Sequence, residues 1–299
     1  MAAITSANVA QAIVKLVAAK FMPALVGNLV MGNLVNRDYE PVLGNAGDTV
    51  NVPLPPTLSV NNLAEGGTVS TQSPSLGNAA VVLNTHAEAT FQIPDVTKAL
   101  ASPDLMQLYM SPAINALAER IETDLLATYA QFTANTAVGT GGSATTEAFI
   151  DAAETALFAA KVPANDPLHL VVAATPYSTL RGLSRFSEMQ TIGNAQAIQK
   201  GALGMIKNFN VYRSQFVSYV SGTSYNLAFH RNALALVMRR LPNVLPGTGA
   251  ITEFVELGGY GFRIVMSYQP NTLAQQFTVD CLYGVGVLRN NHAVVVLAN

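Results

Sequence analysis

The stretch Ser111–Thr133, SPAINALAERIETDLLATYAQFT, decides the fold. Ser111-Pro112 reads as a helix start. Serine accepts from free first-turn N–H groups, and proline suits the first helical position because its missing N–H costs nothing there. Apolar residues recur at Ile114, Leu117, Ile121, Leu125, Tyr129 and Phe132. Steps of three and four draw one stripe along a helix. Glu119, Arg120, Glu122 and Asp124 lie off the stripe and are expected to face water or a polar partner. At 1.5 Å per residue the rod is about 33 Å long, and no glycine interrupts it before Gly139. A straight helix of that length can anchor a thin domain along one side.

The surroundings of this helix are unusually oily. Half of the 299 residues are hydrophobic and only 11% are charged, against about 25% in typical soluble domains. Mean hydropathy is +0.30. A membrane span needs about 20 consecutive apolar residues. The best candidate, Phe21–Asn36, is too short and contains Pro23, Gly27, Asn28, Gly32 and Asn33. No basic residue precedes Lys15, so the start lacks the charged region of a secretory signal. The composition instead predicts a surface covered by copies of the same chain, because obligate interfaces resemble a domain core cut in half. A net charge of −2 leaves no electrostatic footprint for specific nucleic-acid binding, though it permits loose enclosure. One cysteine, Cys281, excludes an intrachain disulfide and could at most pair two subunits. Reducing cytoplasm is the expected compartment.

Before the long helix the chain changes character twice. Val9, Ile13, Leu16 and Val17 predict a short amphipathic helix over Ser6–Lys20. From Asn36 to Pro94 the pattern is β. Thr49–Leu54 alternates, but Pro53, Pro55 and Pro56 forbid a long strand there. Asn61–Gly77 is a polar, glycine-containing loop tip. Val81–Ile93 alternates again, enough for a strand of roughly 40 Å. An isolated hairpin is marginal in water, so its apolar face needs another surface, on this subunit or the next. Pro94-Asp95 and Ser102-Pro103 then suggest short helical turns stepping into the long helix.

After it, Thr136–Thr146 reads as a linker and Glu147–Lys161 as an amphipathic helix. Leu168–Ala174 is a continuous apolar run, hence a strand covered on both faces. Thr175-Pro176 opens a further helix, Ser184–Lys200 is a polar loop, and Val211–Val220 and Tyr225–Phe229 are strands. Asn232–Arg240 is expected to be a short helix, since Leu234, Val237 and Met238 share a helical face. The tail is β: Ile251–Leu257, Gly261–Tyr268, Gln276–Tyr283 and Ala293–Leu297, antiparallel by the shortness of their turns.

Motifs for catalysis are missing. Gly139–Gly142 is not followed by Gly-Lys-Ser/Thr, and Gly284-Val285-Gly286 does not open a helix, so neither is a phosphate or dinucleotide loop. His86, His169, His230 and His292 are far apart in sequence with no metal-ligand spacing. No Gly-x-Ser-x-Gly elbow is present, and Arg231, Arg239 and Arg240 are too few for a nucleic-acid patch. No cofactor and no metal is expected, and no enzyme activity.

The order of these parts resembles the major capsid proteins of tailed phages, an α+β class with the Hong Kong 97-type fold. NALAERIETDLLATY (Asn115–Tyr129) looks like the family's spine helix, and AFHRNALALVMRRLP (Ala228–Pro242) like its return segment. YGFRIVMSYQP (Tyr260–Pro270) and VDCLYGVGVLR (Val279–Arg289) resemble the tail of the podophage-type coat protein branch. The resemblance implies an N-terminal arm (1–35), an extended β loop (36–94) and a peripheral domain with the spine (95–145). An axial domain (146–250) and peripheral return strands with the C-terminal segment (251–299) complete it. It implies homo-oligomers, pentamers and hexamers in an icosahedral shell, that enclose double-stranded DNA non-specifically. It also implies a portal, a possible decoration protein, no membrane, and assembly of the virion capsid in host bacterial cytoplasm. Val50, Val52, Val81, Leu83, Phe91 and Ile93 are then the candidate subunit-interface residues. No room exists between Tyr177 and Arg240 for the β-barrel insertion of some relatives. Only a short arm precedes the extended loop, which implies a separate scaffolding protein or none. Some relatives weld their shells through a lysine on the extended loop, and none lies between Asn36 and Thr97. The same fold builds encapsulin-like nanocompartments, the alternative reading.

Overall fold

The computed structural model describes residues 30–39, 49–56, 58–63, 65–100, 105–163, 166–183, 204–245, 249–257 and 260–299. The helix expected over Ser6–Lys20, the Ser102-Pro103 turn and the Ser184–Lys200 loop lie outside them.

In chain order the elements begin with α1 (Met31–Leu34), β1 (Thr49–Leu54), β2 (Gly77–Val82), β3 (Thr85–Pro94) and α2 (Asp95–Leu100). The long helix follows as α3 (Leu105–Ala127), tightening into a 3-10 turn over Thr128–Gln131. Then come β4 (Val138–Gly139), α4 (Glu147–Ala159), β5 (Leu168–Val172), α5 (Ala174–Gly182), β6 (Met205–Ile206), β7 (Phe209–Arg213), β8 (Tyr219–Val220) and β9 (Thr223–His230). The last strands are β10 (Leu234–Arg239), β11 (Ile251–Leu257), β12 (Tyr260–Gln269), β13 (Ala274–Val287) and β14 (Ala293–Ala298).

Helix α3 starts six residues before the Ser-Pro signal, and Pro112 lies inside it. Proline there removes the bond to the carbonyl four residues back. The helix extends past it in the N-terminal direction, and Met110 on that added stretch is buried in the core. The apolar stripe packs as expected. Ile114, Leu117, Ile121, Leu125 and Phe132 are buried, while Tyr129 stacks on Tyr225 with ring centroids 4.5 Å apart.

Beneath α3 lies an antiparallel sheet organised on the 14-residue strand β13. It runs β10-β13-β12-β11, with β3 also paired to β13 from Thr85↔Tyr283 to Pro94↔Ala274. Period-two alternation puts Phe277, Val279, Cys281 and Tyr283 of β13, and Phe262, Ile264 and Met266 of β12, on the face toward α3. The opposite face carries polar pairs, such as Thr90 to Thr278 at 3.0 Å and Gln92 to Gln276 at 3.3 Å.

The expected single strand Val81–Ile93 is two strands. It breaks at Leu83-Asn84, so that β2 pairs with β1 in a separate two-stranded ribbon while β3 joins the sheet. The ribbon packs on the face away from α3, where β13 carries Gly284 and Gly286. A Cβ on Gly284 would lie 2.2 Å from the Val82 carbonyl oxygen, and one on Gly286 2.8 Å from Val81. The Gly-Val-Gly sequence is therefore a packing seat for the ribbon.

Asn232–Arg240 is not a helix. After a 3-10 turn over Arg231–Ala233 it becomes strand β10, paired to β13 from Leu234↔Val287 to Arg239↔Leu282. Leu234, Leu236 and Met238 enter the core under α3, and Ala235 and Val237 enter the ribbon core. Burial on both sides makes a strand read as a continuous apolar run, which periodicity cannot distinguish from a short helix.

A second, mixed sheet runs β4-β14-β9-β5-β7-β6, with β8 on β9. Strands β5 and β7 are parallel, as are β4 and β14. Helices α4 and α5 supply Ile150, Leu157 and Leu180 to its core against Leu168, Leu170 and Phe209. Chain order and sheet membership differ in two places. Strand β10 precedes residue 251 but belongs to the first sheet, and the tail strand β14 belongs to the second, paired with β9 from Ala293↔Phe229. The linker expected over Thr136–Thr146 contributes β4 to β14's other edge. The strand expected over Val211–Val220 stops at Arg213, where the Ser214 hydroxyl accepts from the Phe216 N–H.

Candidate subunit interface

The apolar face of the ribbon meets this chain's own sheet. Val50, Val52, Val81 and Leu83 are buried together with Ala235, Val237 and Leu288. Ile93 is buried under α3, and Phe91 stacks between Phe277 and Tyr109 at centroid distances of 5.3 and 5.9 Å. Four of the six candidate residues are thus brought together in the ribbon and two stand beside the spine. Five are fully covered, and Phe91 half-covered, without a neighbour.

The uncovered apolar side chains are elsewhere. Between β1 and β2 the described residues have no regular structure, and Leu58, Val60, Leu63, Val69 and Leu76 all stand in solvent, Val60 at 96% exposure. A cross-link holds the limbs of this loop together, since the Ser59 N–H donates to Gln72 Oε1 at 3.0 Å. A second exposed group surrounds the β12–β13 turn: Val96, Tyr268 and Leu273. Here the Asp95 N–H donates to the Leu273 carbonyl at 3.0 Å and the Tyr268 hydroxyl to Asp95 Oδ2 at 2.7 Å. Sequence reasoning passed over the loop residues because they lie in a polar, aperiodic stretch, where the only signal is large aliphatic residues that no periodic face can bury; Tyr268, by contrast, ends the alternating strand Gly261–Tyr268.

The polar groups are structural. Asp280, nearly buried, accepts from Arg263 Nε at 3.0 Å and Nη2 at 2.5 Å, and lies 3.0 Å from His86 Nε2. Arg263 also donates to the Pro242 carbonyl at 2.6 Å. Asp124 finds the polar partner expected of it, accepting from the Tyr283 hydroxyl at 2.6 Å and from Arg120 at 3.0 Å. Glu122 does not face water. It is buried against Met31, whose N–H donates to Oε1 at 2.7 Å.

The fold gathers three histidines that are distant in sequence. His230 Nδ1 accepts from the Asn232 N–H at 3.1 Å, which leaves the proton on Nε2, 3.2 Å from Asp166. His292 stands edge-on to His230 at 5.7 Å, and burial, with Arg289 and His230 nearby, pushes it down to about 4. Burial also lowers His169. Among the described residues no group of three or more His, Cys, Asp or Glu could hold a metal ion. Cys281 is buried under α3, and burial beside Asp280 pushes its thiol up to about 12. The inter-subunit disulfide that the sequence allowed is not accessible to it in this fold.

No protein-family model matches the chain, and no curated protein is similar to it in sequence. Solved structures are similar in fold. A chain of Mycobacterium phage Che8 superposes with a TM-score of 0.66 at 20% identity, over 90% of each chain. The capsid of Cyanophage P-SCSP1u gives 0.58 at 17%, over 85% of this chain and 84% of that one. The capsid of an empty GTA particle gives 0.61 at 10%, over 91% and 90%. The class is thereby defined: this is the α+β capsid fold, of the Hong Kong 97 type that the order of parts suggested.

Proposed function

We propose that this chain is the major capsid protein of a tailed phage, a structural subunit that self-assembles into the icosahedral shell around double-stranded DNA. The observation that carries the reading is the likeness to capsid chains along about nine-tenths of the length. The uncovered aliphatic residues of the 55–76 loop support it, because a soluble monomer gains nothing from holding them in water. In this reading the loop and the Val96–Tyr268–Leu273 group are the surfaces that neighbours cover in pentamers and hexamers. Residues 1–35 act as the arm, 36–94 as the extended loop, 95–145 as the spine region, 146–250 as the axial domain and 251–299 as the returning strands. With 11% charged residues the shell encloses DNA without binding it specifically. A separate scaffolding protein and a portal complete assembly in the host cytoplasm, with a decoration protein as an optional further partner. The test is negative-stain microscopy of the expressed chain, alone and with its neighbouring genes. Shells with nuclease-protected DNA support the reading, shells filled with enzyme cargo would move it to a nanocompartment, and a stable monomer at high concentration would overturn it.

A further inference from the structure

Segment 30–36 runs along α3 and is tied down at both ends. Met31, Leu34 and Val35 are buried in the same core as Ile114, Leu117 and Ile121. Gly32 lies so close to Tyr260 that a Cβ would fall 2.0 Å from the hydroxyl. At the far end Asn36 joins β10, donating from its N–H to the Leu234 carbonyl at 3.0 Å and accepting from Leu236 at 3.1 Å. At the near end the tie is a carboxylate. Glu122 is 1% exposed, its Oε1 accepts from Met31, and its Oε2 has no hydrogen-bond partner.

We propose that Glu122 is a proton-sensitive catch: segment 30–36 is fastened to the long helix while this acid is neutral and loosens as it ionises. An ionised carboxylate with one oxygen unsatisfied is costly away from water. The neutral acid, whose second oxygen is still without a partner, carries a smaller cost than the charged one and still offers a carbonyl oxygen to Met31. Charged groups on the surrounding elements have other partners. Arg37 lies over the Tyr260 ring at 4.0 Å, Asp38 pairs with Arg231 at 2.8 Å, and Arg120 and Tyr283 both bind Asp124. Glu119 points outward one turn away, beside a cleft of about 320 Å³ that it lines with Val30, Asn115, Ala118 and Arg213. Burial raises Glu122 to about 7, opposed only by the N–H groups of Met31, Val30 and Gly32.

The sign follows from linkage. The closed state holds its proton up to about pH 7 and the open state only to about pH 4.5. Opening therefore releases a proton between those values, and becomes about tenfold easier per pH unit there, with no further change above.

Hydrogen exchange on the full-length protein tests this, with rates corrected for intrinsic pH dependence. Protection of amides 31–36 should fall by roughly thirtyfold from pH 5 to pH 7 and then level off, while amides 117–126 of α3 stay constant. Glu122→Gln, which keeps an acceptor for Met31 but cannot ionise, should hold its pH 5 protection at both values. Glu122→Leu should be less protected at every pH and show no slope. A flat wild-type profile, a slope that survives in Glu122→Gln, or an equal change in α3 would overturn the proposal. The test does not depend on whether the chain builds shells.

Discussion

Ile121→Ala removes three carbons from a side chain with no solvent exposure, at the centre of the contact between α3 and the first sheet. At about 0.8 kcal/mol per buried methylene the transfer loss is about 2.4 kcal/mol. The cavity adds to it, because α3 is pinned on either side by Leu117 and Leu125 and cannot settle into the space; a total of about 3–4 kcal/mol is expected. Unfolding entropy of roughly 2.1 cal/mol/K per residue gives about 0.6 kcal/mol/K for this chain, so Tm should fall by about 5 °C. The assay is thermal unfolding of the purified subunit at a fixed scan rate, followed by circular dichroism, with the exposed Glu119→Ala as control. The control should stay within about 1 °C of wild type. Ile121→Asp, which places a carboxylate without a partner in the same spot, should yield insoluble protein. A drop of less than 1 °C for Ile121→Ala would refute the argument that this stripe holds the helix to its sheet.

Other outcomes follow from single groups. Cys281, buried and held protonated, should not react with a thiol reagent in the native protein and should react once per chain after denaturation; fast native labelling would contradict its placement. His292, pushed down to about 4, stays neutral in the fold while the unfolded chain takes up a proton below about pH 6.5. The contribution of His292 to stability therefore falls as pH drops from 6.5 toward 4, opposite in sign to that of Glu122, so a His292→Gln variant should gain stability relative to wild type as pH is lowered through that window in urea titrations. With no lysine between Asn36 and Thr97, mature particles boiled in detergent and reductant should run as one band near 31.5 kDa, and a ladder of multimers would contradict this.

Most of the fold was legible in the sequence because its elements are half-buried. Wherever an element has one wet face, composition alternates at the period of that element, as in the stripe of α3 and in Gly261–Tyr268. The misreadings fall where that condition fails. Strand β10 has no wet face, so LALVM carries no period to distinguish strand from helix. Pro112 sits within a helix whose earlier turn is held by tertiary contacts of Met110, which outweigh one lost hydrogen bond. For Glu122 the sequence left water and a polar partner as alternatives; only the return of segment 30–36, 91 residues away, buries it and supplies the Met31 N–H as that partner.

The sequence by itself determined the order of parts, the oily and weakly charged composition, and the absence of catalytic motifs. These are local or additive properties of the chain. Only the tertiary structure decided which apolar residues remain uncovered. Val50, Val52 and Val81 alternate as an unsatisfied face would, yet the ribbon folds onto β10 and β13 across two glycines and buries them. Leu58 and Val60, in a stretch with no pattern at all, are among those left in water. Burial depends on what the rest of the chain brings to a residue, and contacts between residues 50, 81, 235 and 284 are set by topology rather than by any local period.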